Sequence, residues 1–166
     1  MTRAEALAQL LRLHAEVDAR AAELAAVHGA RLHCRRGCSA CCVDGISVFA
    51  IEADRIRARN KTLLGRGAPH AAGACAFLDG EGACRVYADR PYVCRTQGLP
   101  LRWIDEERQA ELRDICPLNE AGAPLEQLPE SSCWTLGETD ARLAELQRGF
   151  GAEGERVALR ALFERG

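Results

Sequence analysis

The sequence predicts a small α+β domain stapled by metal. Three observations carry that expectation. Apolar side chains recur at helical spacing over residues 3–28. The middle of the chain holds short β-compatible runs separated by turns. Nine cysteines, four of them packed into Cys34–Cys42, stand where a core of this size needs large apolar residues. At 166 residues the chain has the length of one domain. The expected layout over 1–166 is an N-terminal helix at 1–30, a cysteine-cluster metal-binding region at 31–117 and a C-terminal helical region at 118–166.

The N-terminal helix begins with a capping box. In Thr2-Arg3-Ala4-Glu5 the hydroxyl can accept from an early amide while the Glu5 carboxylate reaches back. Leu7, Leu10, Leu11, His14, Val17, Ala21, Leu24 and Val27 then recur at spacings of three and four, which defines one face. Arg12, Glu16, Arg20 and Glu23 mark the solvated face, and Gly29 is the expected stop. Such a helix is about 39 Å long. His14 and His28 beside the apolar stripe read as boundary or core histidines.

Residues 31–42 form an irregular loop, with Gly37 allowing a tight turn between Cys34 and Cys38. Asp44-Gly45 is a turn and Ile46–Val48 a short strand. Phe49–Asn60 returns to helical spacing, with Ile51 and Ile56 apolar and Glu52, Asp54, Arg55, Arg57 and Arg59 polar. Residues 61–74, rich in Gly, Ala and Pro, read as a loop. Cys75–Leu78 and Ala83–Tyr87 flank the turn Asp79-Gly80-Glu81-Gly82 as a β-hairpin. Pro91 opens a helical turn that ends at Cys94-Arg95.

Leu101–Ile104 and Leu112–Ile115 are two strand candidates around a polar run. Residues 118–132, with Pro124 and Pro129, read as a loop. Thr139–Arg148 is a helix broken by Gly149-Phe150-Gly151, and Glu153–Glu164 a last helix with Leu159, Leu162 and Phe163 on one face.

Composition narrows the function classes. A net charge of -2 and pI near 6.1 supply no basic field, which argues against nucleic acid as a partner. No apolar run reaches the 18 or so residues of a membrane span. Residues 1–30 contain no secretory h-region, so a cytoplasmic location is expected. In that reducing setting clustered cysteines point to metal rather than disulfides, and an odd number leaves one thiol over.

Thiolates suit zinc, iron–sulfur clusters and copper(I). A structural zinc takes four ligands, so the cysteines suffice for two such sites, or for one iron–sulfur cluster with thiols to spare. Neighbouring side chains in extended backbone point to opposite faces, so Cys41 and Cys42 are expected to serve two ions, or one to ligate while the other packs. That favours a two-metal or polynuclear arrangement. Cys38, Cys41 and Cys42 from the loop would be completed by Cys75, Cys84 and Cys94 from the hairpin and the turn after it.

Arg31, Arg35, Arg36, Arg85, Arg90 and Arg95 lie beside the thiols in sequence. They read equally as compensation for an anionic metal–thiolate centre or as the general arginine richness of the chain. His33 is a lesser candidate ligand. Tyr87 and Tyr92 read as packing around the hairpin. Cys133 reads equally as a partly buried free thiol or a ligand. Cys34-x3-Cys38-x2-Cys41 has the spacing by which radical S-adenosylmethionine enzymes hold a [4Fe–4S] cluster. No alternating βα pattern follows it, so the match is treated as coincidental. No Ser-His-Asp set, Walker loop or dinucleotide fingerprint accompanies the cysteines.

Four blocks in order resemble the CxxCxxCC zinc- or iron-chelating domain of YkgJ-like cysteine-cluster proteins. They are Cys38-Ser39-Ala40-Cys41-Cys42, Cys75-Ala76-Phe77-Leu78, Gly82-Ala83-Cys84-Arg85-Val86-Tyr87 and Arg90-Pro91-Tyr92-Val93-Cys94-Arg95. They span roughly residues 34–96, and Glu52 fits the acidic position that follows the cluster. The name pattern has two residues where this chain has three between Cys34 and Cys38, which sets Cys34 apart. The resemblance implies metal binding, with zinc or iron as the metal and no common reaction.

The expected ligand set is Cys34, Cys38, Cys41, Cys42, Cys75, Cys84, Cys94 and Cys116, with zinc, iron or an iron–sulfur cluster as cofactor. Three functions compete. They are a non-enzymatic chelating protein, an iron–sulfur protein with a redox or accessory catalytic role, and an interaction module whose terminal helices bind a protein partner. The absence of a nucleophile–base set favours the first.

Overall fold

A computed structural model describes residues 1–164 of the chain. It is mixed α and β. Helix α1 (Arg3–Val27) starts at the expected capping box, with Glu5 N–H donating to Thr2 Oγ1 at 3.2 Å and Thr2 N–H donating to Glu5 Oε2 at 2.7 Å. Its buried face is Ala6, Leu10, Leu13, His14, Val17 and Leu24. The expected stripe is therefore rotated: Leu13 is inside, while Leu11 and Val27 are 45% and 66% exposed.

Strand β1 (Ser47–Phe49) leads directly into α2 (Ala50–Arg59). The expected loop after it holds a further short helix, α3 (Lys61–Arg66), before the irregular run to Cys75. The expected hairpin is reduced to a reversal. Leu78 and Cys84 form one antiparallel bridge, and Arg85 N–H donates to Phe77 O at 2.9 Å. Asp79 Oδ1 accepts the amides of Glu81 and Ala83, so the turn is built by its own side chain rather than by a ladder.

A 3-10 turn (Tyr87–Asp89) and the one-turn α4 (Tyr92–Arg95) follow. Strands β2 (Leu101–Asp105) and β3 (Ala110–Asp114) form an antiparallel hairpin, in register from Leu101↔Asp114 to Asp105↔Ala110.

The proline-containing stretch carries three 3-10 turns and then β4 (Trp134–Thr135), which pairs parallel to β2 and gives the order β3-β2-β4. Helix α5 (Glu138–Phe150) runs through Gly149 and stops at Gly151, a left-handed residue at φ 87°. The expected last helix does not form. Residues Arg156–Ala158 become β5, antiparallel to β1, and a 3-10 turn (Arg160–Phe163) follows. Leu159, Leu162 and Phe163 are buried as the pattern required, but beyond an edge strand rather than on a helix.

Two apolar clusters result. Ala6, Leu10, Leu13, Val17 and Leu24 of α1 meet Leu143 and Leu146 of α5, with Ile51, Tyr92, Leu99 and Trp134 between them. The second gathers Val48, Ile56, Phe77, Leu78, Val86, Leu159, Leu162 and Phe163 around Cys75, with Cys42 and Cys84 packed against it. Phe77 and Phe163 face each other at 5.0 Å between ring centroids. The cysteine-rich loops thus sit on a core of their own.

Candidate metal centre

Seven of the nine cysteines line one cavity of about 730 Å³: Cys34, Cys38, Cys41, Cys42, Cys75, Cys84 and Cys94. Four separate stretches bring them there. The loop before β1 supplies Cys34 to Cys42. Cys75 is drawn to that loop by its own amide, which donates to Cys42 O at 2.9 Å. Cys84 arrives on the return of the Asp79 turn, and Cys94 on α4. Ile46, Ile56, Phe77, Leu78, Val86, Val93 and Leu159 form the apolar part of the wall.

Glu52 fixes the approach of Cys94. The sequence places this carboxylate on a polar face, yet it is buried at 3% exposure. Glu52 Oε1 accepts the Tyr92 amide at 2.7 Å and meets His14 Nε2 at 3.0 Å, and Oε2 reaches the Phe49 amide at 3.4 Å. One carboxylate therefore ties α1, the start of α2 and the first turn of α4. His14 is a core histidine as expected, with a polar partner that the sequence does not reveal. Tyr92 Oη accepts from Trp134 Nε1 at 2.9 Å, extending the network to β4. On the other side of α4, Arg95 donates to Asp18 of α1.

Cys34 sits at the edge. Its residue is exposed, and its sulfur accepts from Asn119 Nδ2 at 3.4 Å. Asn119 is fully buried: Nδ2 also donates to Gly98 O at 2.8 Å, and Oδ1 accepts the His33 amide at 2.8 Å. A Cβ on Gly98 would lie 2.5 Å from Cys34 Sγ, and Gly98 has φ 91°, so both space and backbone require glycine. Sequence reasoning missed Asn119 and Gly98, because nothing local marks residues whose partners lie 21 and 85 positions away.

Cys116 starts the 3-10 turn that carries Asn119 but does not line the cavity. Cys133 is buried elsewhere, 4.0 Å from Arg113 Nη1 and at the margin of a separate groove beside α1 and α5. His33 is exposed and is not among the cavity residues.

The arginines divide. Arg31 donates to Asn119 O and Glu120 O, and Arg85 to the carbonyls of Ala68 and Ala76, so both brace loops. Arg35, Arg36 and Arg90 line the cavity with Arg85. Arg90 stacks on Tyr87 at 4.0 Å from the ring centroid, and Tyr87 is 66% exposed rather than packed. The side chains of Arg35 and Arg36 make no hydrogen bond or ion pair among the described residues. They are the cations that remain for an anionic centre.

The thiols shape one another's acidity. Cys41 and Cys42 both line the cavity, so they do not point to opposite faces as extended backbone would require. The adjacent Cys42 thiol holds the Cys41 thiol down at about 6, and Cys42 is raised in turn by Cys41, by burial and by the nearby Cys75 and Cys94. Burial pushes Cys75 and Cys84 up. Burial first, then Cys75, Cys84 and Cys41, push Cys94 up to about 12. Cys41 apart, packing these thiols together favours their protons until a cation supplies compensating charge.

Among the described residues no three His, Cys, Asp or Glu side chains already converge to coordination distance. The donor chemistry nonetheless fits a thiophilic metal: soft ligands, apolar walls and two spare arginines.

The family profile of CxxCxxCC, described as "Putative zinc- or iron-chelating domain", matches residues 33–117, just over half of the chain. It extends beyond the four blocks recognised above and takes in Cys116, while Cys133 lies outside. No curated protein and no solved structure matches the chain. Among the described residues no helix is long and apolar enough to cross a membrane.

Proposed function

This chain belongs to the CxxCxxCC family, and on that footing we propose that it is a thiolate metal-binding protein. Zinc or iron would be held by cysteines drawn from Cys38, Cys41, Cys42, Cys75, Cys84 and Cys94. The observation that carries the reading is the convergence of these residues, from four stretches of chain, on one cavity. Cys34 completes the rim through Asn119. Cys116 and Cys133 stand apart from the ligand set. When bound, the metal supplies the positive charge that lets the buried thiols ionise. The rest is done by the chain: Glu52 orients the turn bearing Cys94, and Arg35 and Arg36 face the anionic centre.

Metal binding and folding of the second apolar cluster are then one event, since a structural zinc can contribute roughly 10–16 kcal/mol. The two terminal regions pack on this unit through the β1–β5 pairing and α1, while the α1–α5 cluster keeps a core without cysteine.

A second reading, an iron–sulfur or other polynuclear centre, is favoured by one observation. The cavity and its thiols exceed what a single four-coordinate ion uses. The interaction-module reading gains less. Leu11 and Val27 are exposed singly on α1, about four turns apart, and make no patch.

Anaerobic purification followed by metal analysis and visible spectroscopy tests the proposal. Stoichiometric zinc in colourless protein supports a closed zinc site. Iron with sulfide and broad visible absorption supports the cluster. Protein that retains neither metal after purification and after anaerobic reconstitution with each would overturn chelation itself.

A further inference from the structure

Arg160 lies well outside the residues that match the family, yet its guanidinium reaches the chain segments beside Cys42 and Cys75. It donates to both oxygens of Asp44, at 2.9 and 2.8 Å. The same group donates to the carbonyls of His70 and Ala74, each at 2.8 Å, and of Ala71 at 3.3 Å. Asp44 stands two residues after Cys42, and Ala74 immediately precedes Cys75. The two backbones touch where the Cys75 amide meets Cys42 O. Asp44 is held in turn by the amides of Gly45 and Gly73, each at 3.0 Å.

The segment carrying Arg160 is itself tied down. β5 pairs with β1, the Leu159 amide donates to Ile46 O at 2.9 Å, and the Leu159 side chain lines the cysteine cavity.

We propose that Arg160 is a positioning residue for metal retention. From the C-terminal strap it clamps the Cys42 and Cys75 segments together and sets the spacing of their thiols. The proposal rests on the chelation reading above. A planar fork meeting a carboxylate with two bonds, while also reaching three carbonyls, is a geometry that lysine does not reproduce. The competing explanation is a brace for loop 68–74 with no bearing on the metal. The two differ in what they do to the bound ion.

The test uses the full chain loaded with Zn²⁺ for release measurements and with Co²⁺ for spectroscopy. Arg160→Ala should release zinc to a competing chelator roughly tenfold faster, in the range typical for loss of an outer-shell partner. Its cobalt form should lose thiolate-to-metal charge-transfer intensity. Arg160→Lys should fall between it and the parent. Asp44→Asn should act in the same direction, and the double variant should be little worse than either single one.

Val17→Ala, in the other apolar cluster, should lower the melting temperature and leave zinc release unchanged. If Arg160→Ala does not fold, Arg160→Lys and Asp44→Asn carry the test. Parent-like release and cobalt spectra in these variants, or equally fast release from Val17→Ala, would overturn the clamp. A parent protein that binds neither ion, nor iron on anaerobic reconstitution, overturns chelation and the clamp together. A parent that binds, with variants that behave like it, overturns the clamp alone.

Discussion

At the scale of single residues, charge and space decide the behaviour of the cysteine region. Cys41 owes its low pKa, about 6, to the adjacent Cys42 thiol. In metal-free protein its alkylation by iodoacetamide should therefore be half-maximal near pH 6. Cys42→Ala should move that midpoint upward, towards the ordinary thiol value of 9.0. A pH–rate profile of labelling at Cys41, read by peptide mass, checks both.

Cys94 has the opposite sign. Its folded-state pKa, about 12, lies above the ordinary value of 9.0, so the fold favours the neutral thiol. That contribution to the stability of metal-free protein is complete below pH 9 and is lost as pH rises towards 12. Gly98 shows how space acts. Gly98→Ala must adopt φ near 91° and displace Cys34 Sγ, at a cost of about 2 kcal/mol. Denaturant unfolding would measure it.

Between elements, Glu52 is a three-way joint. It links α1 through His14, the start of α2 through Phe49 and α4 through Tyr92. Glu52→Ala leaves the Tyr92 amide and the His14 ring without their buried partner, which should destabilise the protein by about 3 kcal/mol. Glu52→Gln keeps an acceptor for one of them and should lose less. Thermal melts of both variants, with the metal content of each, check the order.

The outcome for the last segment also belongs at this level. Leu159, Leu162 and Phe163 have helical spacing, but Gly151 and Gly154 break the chain before them and β1 offers an unpaired edge. Pairing Ser47–Phe49 with Arg156–Ala158 satisfies both backbones and still buries the three side chains. Local spacing was legible there, while the choice of strand over helix was made by a partner more than 100 residues away.

Across the whole molecule, the two apolar clusters should respond differently to loss of metal. The cluster between α1 and α5 contains no cysteine, whereas the other contains Cys75 and packs against Cys42 and Cys84. Chelation should therefore abolish amide protection around residues 46–48 and 75–85 and leave α1 and α5 protected. Hydrogen exchange with and without chelator would show this. Uniform protection in verified metal-free protein would contradict the coupling of metal to the second core.

The sequence by itself determined the α+β class, the first helix with its capping box, strand character near β2 and β3, and the family to which the cysteine blocks belong. Each depends on neighbours in the chain: a periodicity of three and four, a Thr-x-x-Glu cap, thiols at short spacing. Tertiary structure alone decided that Cys41 and Cys42 face the same cavity, that Cys116 stays off its wall and that Glu52 is buried. It also placed Asn119 and Arg160 as supports of the cysteine loops. Those outcomes follow from hydrogen bonds between segments distant in sequence, where a buried polar group must find its partner wherever the fold brings one.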